Sequence, residues 1–268
     1  MVDQPIIMGV LNITPDSFSD GGLFFEAQSA IDQAVLMVEQ GADIIDIGGE
    51  STRPGAPEVS AEDELKRVLP VIEALSGNID VPISIDTSKP VVMRRAFDAG
   101  ASIINDVYAL RSKGALEMAA SLGADVCLMH MQGNPRTMQK NPKYDDVVSD
   151  VKFFFTERLE ACSAVGIKLE SITLDPGFGF GKNLAHNIAL LKNLAEFHDF
   201  GVSILAGLSR KSMIGSLLGD KEVDSRMIGS VTAALIAVEN GANIIRAHDV
   251  AETKDALTVW QQIKHFRE

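Results

Sequence analysis

Two patterns of apolar residues alternate along the chain. The first has the period of a helix: between positions 27 and 40, Ala30, Ile31, Ala34, Val35 and Val38 fall on one stripe. The second is a short unbroken run of Ile, Val or Leu, which reads as a strand buried on both faces. The join between them recurs as Gly-Ala-polar, at Gly41-Ala42-Asp43, Gly100-Ala101-Ser102, Gly123-Ala124-Asp125 and Gly241-Ala242-Asn243. Glycine just past a helix end takes the left-handed conformation that closes the last turn. Each join therefore predicts a helix stop followed at once by a strand.

On this basis strands are expected at Ile6–Val10, Ile44–Ile47, Pro82–Ile85, Ser102–Ile104, Asp125–Met129, Ile172–Leu174, Val202–Ala206 and Asn243–Ile245. Helices are expected at Ala27–Gln40, Ala61–Leu75, Val91–Ala99, Ala115–Leu122, Asp145–Val165, Leu184–Leu194, Met227–Asn240 and Thr253–Phe266. Strict alternation calls for a parallel sheet. Eight near-equal α/β units without a long linker favour a closed (β/α)8 TIM barrel, one domain over residues 1–268, ahead of an open doubly wound sheet. The longest irregular stretches, Asn12–Phe25, Gly48–Ser60 and Met131–Lys143, all follow strands, on the barrel face where functional loops gather.

Composition narrows the function. The hydrophobic fraction of 46% supports a large core, and a net charge of −13 leaves no basic face for nucleic acid or an anionic membrane. No basic-then-apolar leader opens the chain, and no run nears the ~20 apolar residues of a membrane span, so a cytoplasmic protein is expected. Cys127 and Cys162 have no Cys or His at ligand spacing and read as buried free thiols.

The informative residues lie where strands end. They are Asn12, Asp46, Asp86, Asn105-Asp106, His130, Asp175, Ser209-Arg210-Lys211-Ser212 beyond Gly207, and Arg246 with His248. An isolated Asp after a strand is commonly a cap or Asx-turn, but polar side chains at all eight ends would share one rim. The Ser209–Ser212 run sits where a helix should begin, and helix starts bind anions. Arg246 and His248, two apart on an extended end, can point the same way as a second anion clamp. The Gly177–Gly181 run has neither P-loop nor dinucleotide spacing. It reads either as close backbone approach to a flat ligand with Phe178 or Phe180 as an aromatic wall, or as a tight turn with one phenylalanine in the core. No nucleophile elbow and no zincin histidine pair occurs. Central carboxylates and amides with cations to one side suit a nitrogen-rich ring carrying an anionic tail.

Together the motifs resemble those of the dihydropteroate synthases. The resemblance rests on Met8–Gly22, Gly48-Gly49-Glu50-Ser51-Thr52-Arg53-Pro54-Gly55, Ser84-Ile85-Asp86-Thr87, Ile104-Asn105-Asp106-Val107, Asp175–Lys182, Ser209–Ser212 and Arg246-Ala247-His248-Asp249. It implies condensation of 6-hydroxymethyl-7,8-dihydropterin diphosphate with 4-aminobenzoate in folate synthesis, inhibited by sulfonamides. By matching position it implies that Asn12 helps hold Mg²⁺ with the diphosphate, which Thr52, Arg246 and His248 bind. Asp86, Asn105 and Asp175 would bind the pterin, with Lys211 above it, Gly207 beside it and Asp46 supporting the floor. Arg53 and Pro54 would close the aminobenzoate pocket, Phe180 would pack on that ring, and Ser209 would receive its carboxylate. Asp86, Asn105, Asp175, Lys211 and Arg246 form the implied catalytic set, and a homodimer is implied, through the last helices. A methyl-folate methyltransferase of the same barrel type would need neither the Arg53 loop nor the diphosphate clamp. A silent pterin-binding paralogue would be expected to have lost Arg53 or Lys211.

Overall fold

The structure is a computed structural model that describes residues 4–13, 22–51, 55–135 and 137–266. Its eight strands are β1 (Ile6–Asn12), β2 (Ile44–Gly48), β3 (Ile83–Asp86), β4 (Ile103–Asp106), β5 (Asp125–Met129), β6 (Ile172–Asp175), β7 (Ser203–Ala206) and β8 (Ile244–Ala247). They pair in parallel in chain order, and β8 closes onto β1 through Ile6↔Ile244 and Met8↔Arg246. The expected closed (β/α)8 barrel is the observed fold.

Around it lie α1 (Gly22–Glu39), α2 (Ala61–Leu75), α3 (Pro90–Asp98), α4 (Ala115–Leu122), α5 (Val147–Ala164), α6 (Leu184–Lys192), α7 (Ser212–Leu217), α8 (Met227–Glu239) and α9 (Val250–Lys264). Their starts follow local chemistry. Ser60 caps α2 by accepting from Asp63 N at 3.1 Å, and Glu62, Asp63 and Glu64 favour the positive end of its dipole. The four Gly-Ala joins behave as expected: Gly41, Gly100, Gly123 and Gly241 all have positive φ.

Three expectations are corrected. Helix α1 starts at Gly22 and α9 at Val250, each earlier than the apolar stripe indicated, and α7 was not among the expected helices. Its six residues are too few to display a period, and Gly215 interrupts them. Strands β3, β4 and β6 each run one or two residues beyond the expected bounds, and Asp86, Asp106 and Asp175 are their last residues. Among the described residues, no helix is long and apolar enough to cross a membrane. Cys127 and Cys162 are both buried and free.

The barrel interior sets the depth of the site. Met8, Ile44, Cys127, Leu205 and Ile244 form an apolar plug, with Ile103 packed against it. Side chains on a strand alternate in direction, so the next inward residues are two positions on. Those positions hold Asp46, Asn105, Gly207 and Arg246. The plug is thus the floor beneath a polar layer at the C-terminal mouth, where barrels of this type place their chemistry.

Candidate active site

Asp46 is the centre of the polar layer and is fully buried. It accepts from Ser84 Oγ at 2.6 Å, from Asn105 Nδ2 at 3.0 Å and from Arg246 Nε at 2.7 Å. Arg246 Nη2 reaches on to Asp86 Oδ2 at 3.0 Å. One guanidinium therefore joins two carboxylates from β2 and β3. Burial works against the charge on Arg246, yet Asp46 and Asp86 hold its pKa above the usual range. Burial, and then the Asp46 charge, pushes Asp86 up to about 8. A carboxyl raised in this way can hold a proton near neutrality and accept or donate at a ligand edge.

Glycines leave room above this layer. A Cβ on Gly48 would lie 3.5 Å from Asp86 Cβ and 3.6 Å from Asn12 Oδ1, so Asn12 and Asp86 both stand beside Gly48. A Cβ on Gly207 would lie 3.8 Å from Lys211 Nζ, 3.9 Å from Arg246 Cβ and 4.0 Å from Asp175 Oδ2. Gly207 thus sits among the three charged candidates it was grouped with. Asp175 accepts from Gly177 N at 2.8 Å, and burial raises its pKa while Lys211 opposes the shift. Lys211 is pushed down to about 8 by burial, with Asp175 pulling the other way. Lys211 also donates to Phe178 O, and its ammonium stands 4.6 Å from the centroid of the Phe180 ring.

The two phenylalanines of the glycine run part company, and the reading of a tight turn with one phenylalanine in the core holds for Phe178. Phe178 is fully buried in the main core. Phe180 packs with Met129, Met131 and Met138 and presents its face to Lys211.

Other residues fall differently from expectation. Ser209 does not start a helix: α7 begins at Ser212, and Ser209 Oγ instead lies 3.0 Å from His248 Nδ1 and accepts from His248 N at 3.2 Å. The cause is Arg210, which takes φ +57° and turns the chain before the helix can begin. Arg210 is also turned away as an anion-binding cation. Its guanidinium grips Asp249 at 3.1 and 2.5 Å, while Ser230 Oγ receives its backbone N–H at 2.8 Å. Asp106 has the plain role of an Asx-turn, accepting from Tyr108 N and Leu110 N at 2.8 Å. Thr52, Arg53 and Pro54 lie outside the described residues.

Ser84 and Lys182 were missed as site-building residues. Ser84 could have been found, because it lies two positions before Asp86 and shares its inward face. Nothing in the sequence singles out Lys182, whose Nζ is enclosed by His130 Nδ1 at 2.8 Å, Gly177 O at 3.0 Å, Phe180 O at 3.0 Å and His130 O at 3.3 Å.

The Mg²⁺ expectation can be tested against the donor set. Among the described residues, no three His, Cys, Asp or Glu side chains come together as a cation cage. Asn12 Oδ1 stands beside Gly48, on the same side as Asp86. One amide oxygen fits an ion that keeps several waters and is held mainly by substrate phosphates.

Residues 8–248 match the model of a family described as pterin binding enzyme. The chain is 58% identical over 257 residues to the dihydropteroate synthase of Haemophilus influenzae, covering 96% of this chain and 93% of that one. A Yersinia pestis dihydropteroate synthase solved as a sulfonamide drug complex superposes with a TM-score of 0.93 at 52% identity, covering 98% of this chain and 95% of that chain. The Xanthomonas albilineans enzyme in complex with 7,8-dihydropteroate superposes with a TM-score of 0.91 at 47% identity, covering 100% and 96%. The chain belongs to the pterin binding enzyme family and, within it, to the dihydropteroate synthases.

Proposed function

We propose that the protein joins 6-hydroxymethyl-7,8-dihydropterin diphosphate to 4-aminobenzoate, giving 7,8-dihydropteroate and diphosphate. The observation that carries the reading is the buried Asp46–Ser84–Asn105–Arg246–Asp86 network at the C-terminal mouth, bordered by Asn12, Gly48 and Gly207. It offers amide and carboxyl groups of matched height to a flat nitrogen heterocycle. The Xanthomonas relative, solved in complex with 7,8-dihydropteroate, supports the same product for this chain.

In this reading Asp86, Asn105 and Asp175 hold the ring edge, and Arg246 and His248 stand toward the diphosphate, with Thr52 contributing from its loop. Mg²⁺ bound at Asn12 and the diphosphate would supply charge neutralisation on the leaving oxygens. Cleavage of the C–O bond to diphosphate places positive charge on the pterin methylene, which the Asp86 and Asp175 carboxyls stabilise. The aminobenzoate nitrogen then forms the new C–N bond and loses its proton to solvent, so no strong base is needed. Phe180 packs on the incoming ring, Arg53 and Pro54 cover it, and its carboxylate meets the Lys211-Ser212 turn. Ser209, engaged with His248, contributes by placing that turn. Calorimetry tests the reading: sulfonamide should bind only when diphosphate or its pterin ester is present, and diphosphate-independent binding would refute it.

The proposal includes a homodimer. Leu217, Leu218, Val223 and Ile228 are exposed around α7 and the start of α8, with Ile228 76% exposed, and Gly229 packs directly on Ile214 and Leu218. An apolar face of this kind is normally covered. Light scattering should give twice the chain mass, and Ile228→Asp should shift it toward one chain mass. A monomeric wild type would refute the dimer.

A further inference from the structure

The loop joining β6 to α6, residues 176–183, meets Lys211 through Phe178 O and the Phe180 ring, and its own shape comes from a different lysine. Lys182 is 3% exposed. Its ammonium nitrogen satisfies Gly177 O and Phe180 O within the loop and His130 O across from it, besides meeting His130 Nδ1. Buried loop carbonyls need a donor; Phe180 N–H donates to Gly177 O at 3.1 Å, and Lys182 is the side chain that ties this carbonyl to Phe180 O and His130 O.

The two loops meet at van der Waals limits. A Cβ on Gly177 would fall 1.9 Å from His130 O, and one on Gly181 would fall 2.8 Å from Gln132 O. Tyr144 Oη donates to Gly181 O at 2.8 Å, Gln139 donates to Gly179 O, and Asn187 Oδ1 accepts from Gly179 N at 2.7 Å. On the opposite side, Lys211 donates to Phe178 O and lies beneath the Phe180 ring. A Cβ on Gly179 would lie 3.3 Å from Lys211 Cδ. Contacts thus run without a gap from His130 through Lys182 and the loop carbonyls to Phe180 and Lys211.

We propose that Lys182, latched onto His130, is a positioning residue for the aminobenzoate half of the reaction: it folds the 176–183 loop so that Phe180 and Lys211 are set where the arylamine docks. The inference rests on the reaction proposed above. Burial pushes the Lys182 pKa well down, and burial followed by the Lys182 charge pushes His130 down to about 2. The latch therefore does not depend on His130 gaining a proton. Most of the pterin floor hangs from β2, β3, β4 and β8, and the loop meets it at Asp175, which accepts from Gly177 N at 2.8 Å.

The test is steady-state kinetics on the full chain with each substrate varied in turn, together with sulfonamide inhibition. Lys182→Met should raise KM for aminobenzoate and Ki for a sulfonamide in parallel, by about tenfold, while KM for the pterin diphosphate stays within about twofold. His130→Leu should do the same, and His130→Asn, which keeps an acceptor near the Nδ1 position, should restore KM to within about threefold of wild type. If Lys182→Met does not fold, the His130 pair decides. Folded variants with unchanged aminobenzoate KM, or with only a uniform fall in kcat, would overturn the inference. Wild-type turnover in the same assay separates the two readings: its absence overturns the proposed function together with this inference, while its presence with unshifted variants overturns the inference alone.

Discussion

Replacing Asp46 by Asn changes almost no volume and removes one charge at the point where four elements meet. Asp46 Oδ1 accepts from Ser84, and Oδ2 accepts from both Asn105 and Arg246. All three partners are donors. The best placement of the amide keeps its oxygen toward Asn105 and Arg246 and turns its NH₂ to Ser84, whose hydroxyl can accept instead. The Arg246 bond then loses its charged acceptor, and the Asn105 bond weakens with it. Charge-assisted bonds contribute about 1.5–3 kcal/mol against about 1 for neutral ones, so the loss is about 2 kcal/mol. If that orientation is felt fully in the transition state, kcat/KM for the pterin diphosphate falls roughly 30-fold. Aminobenzoate KM should move little, because Lys211 and Phe180 do not touch Asp46. The substitution also removes the Asp46 charge, the largest cause after burial that raises Asp86, so any inflection due to Asp86 should move to lower pH. The assay is initial-rate kinetics over a pH series on protein checked by circular dichroism. A kcat/KM within about threefold of wild type, or an equal rise in aminobenzoate KM, would refute the reasoning.

Two further predictions follow from the same geometry. Asp175→Asn should lower kcat by roughly two to three orders of magnitude, yet leave Tm unchanged or raised near pH 8. A buried carboxyl with a raised folded pKa loses stability as pH climbs above its unfolded value, and the amide has no such loss; near-normal turnover or a large drop in Tm would contradict this. Lys211 is protonated below about 8, so aminobenzoate KM should be flat up to that pH and rise above it, and Lys211→Arg should abolish the rise because arginine keeps its charge. A flat wild-type profile through pH 9.5 would remove Lys211 as the carboxylate's partner.

The barrel was legible because each strand–helix join repeats one local signal, a left-handed glycine followed by an apolar run, as at Gly41 and Gly241. The rim was legible because inward direction follows from the two-residue period of the strands, which brings Asp46, Asn105 and Arg246 to one level. What could not be read depends on contacts far apart in sequence. Asp46 and Arg246 are 200 positions apart and pair only because β8 closes beside β1 and β2. Ser209 was placed at a helix start because its tetrapeptide has the right residue types. The positive φ of Arg210, and its grip on Asp249, moved that start to Ser212. Lys182 carries no local signal, because its partner His130 is 52 positions away, on another strand's loop.

The central claim is tested most directly by diphosphate release from 6-hydroxymethyl-7,8-dihydropterin diphosphate, measured with and without 4-aminobenzoate, with Mg²⁺ or with chelator. The account predicts release that requires aminobenzoate, appears together with 7,8-dihydropteroate, is blocked by a sulfonamide and is lost with chelator. A folded protein that binds the pterin ester but releases no diphosphate when aminobenzoate is added would contradict it.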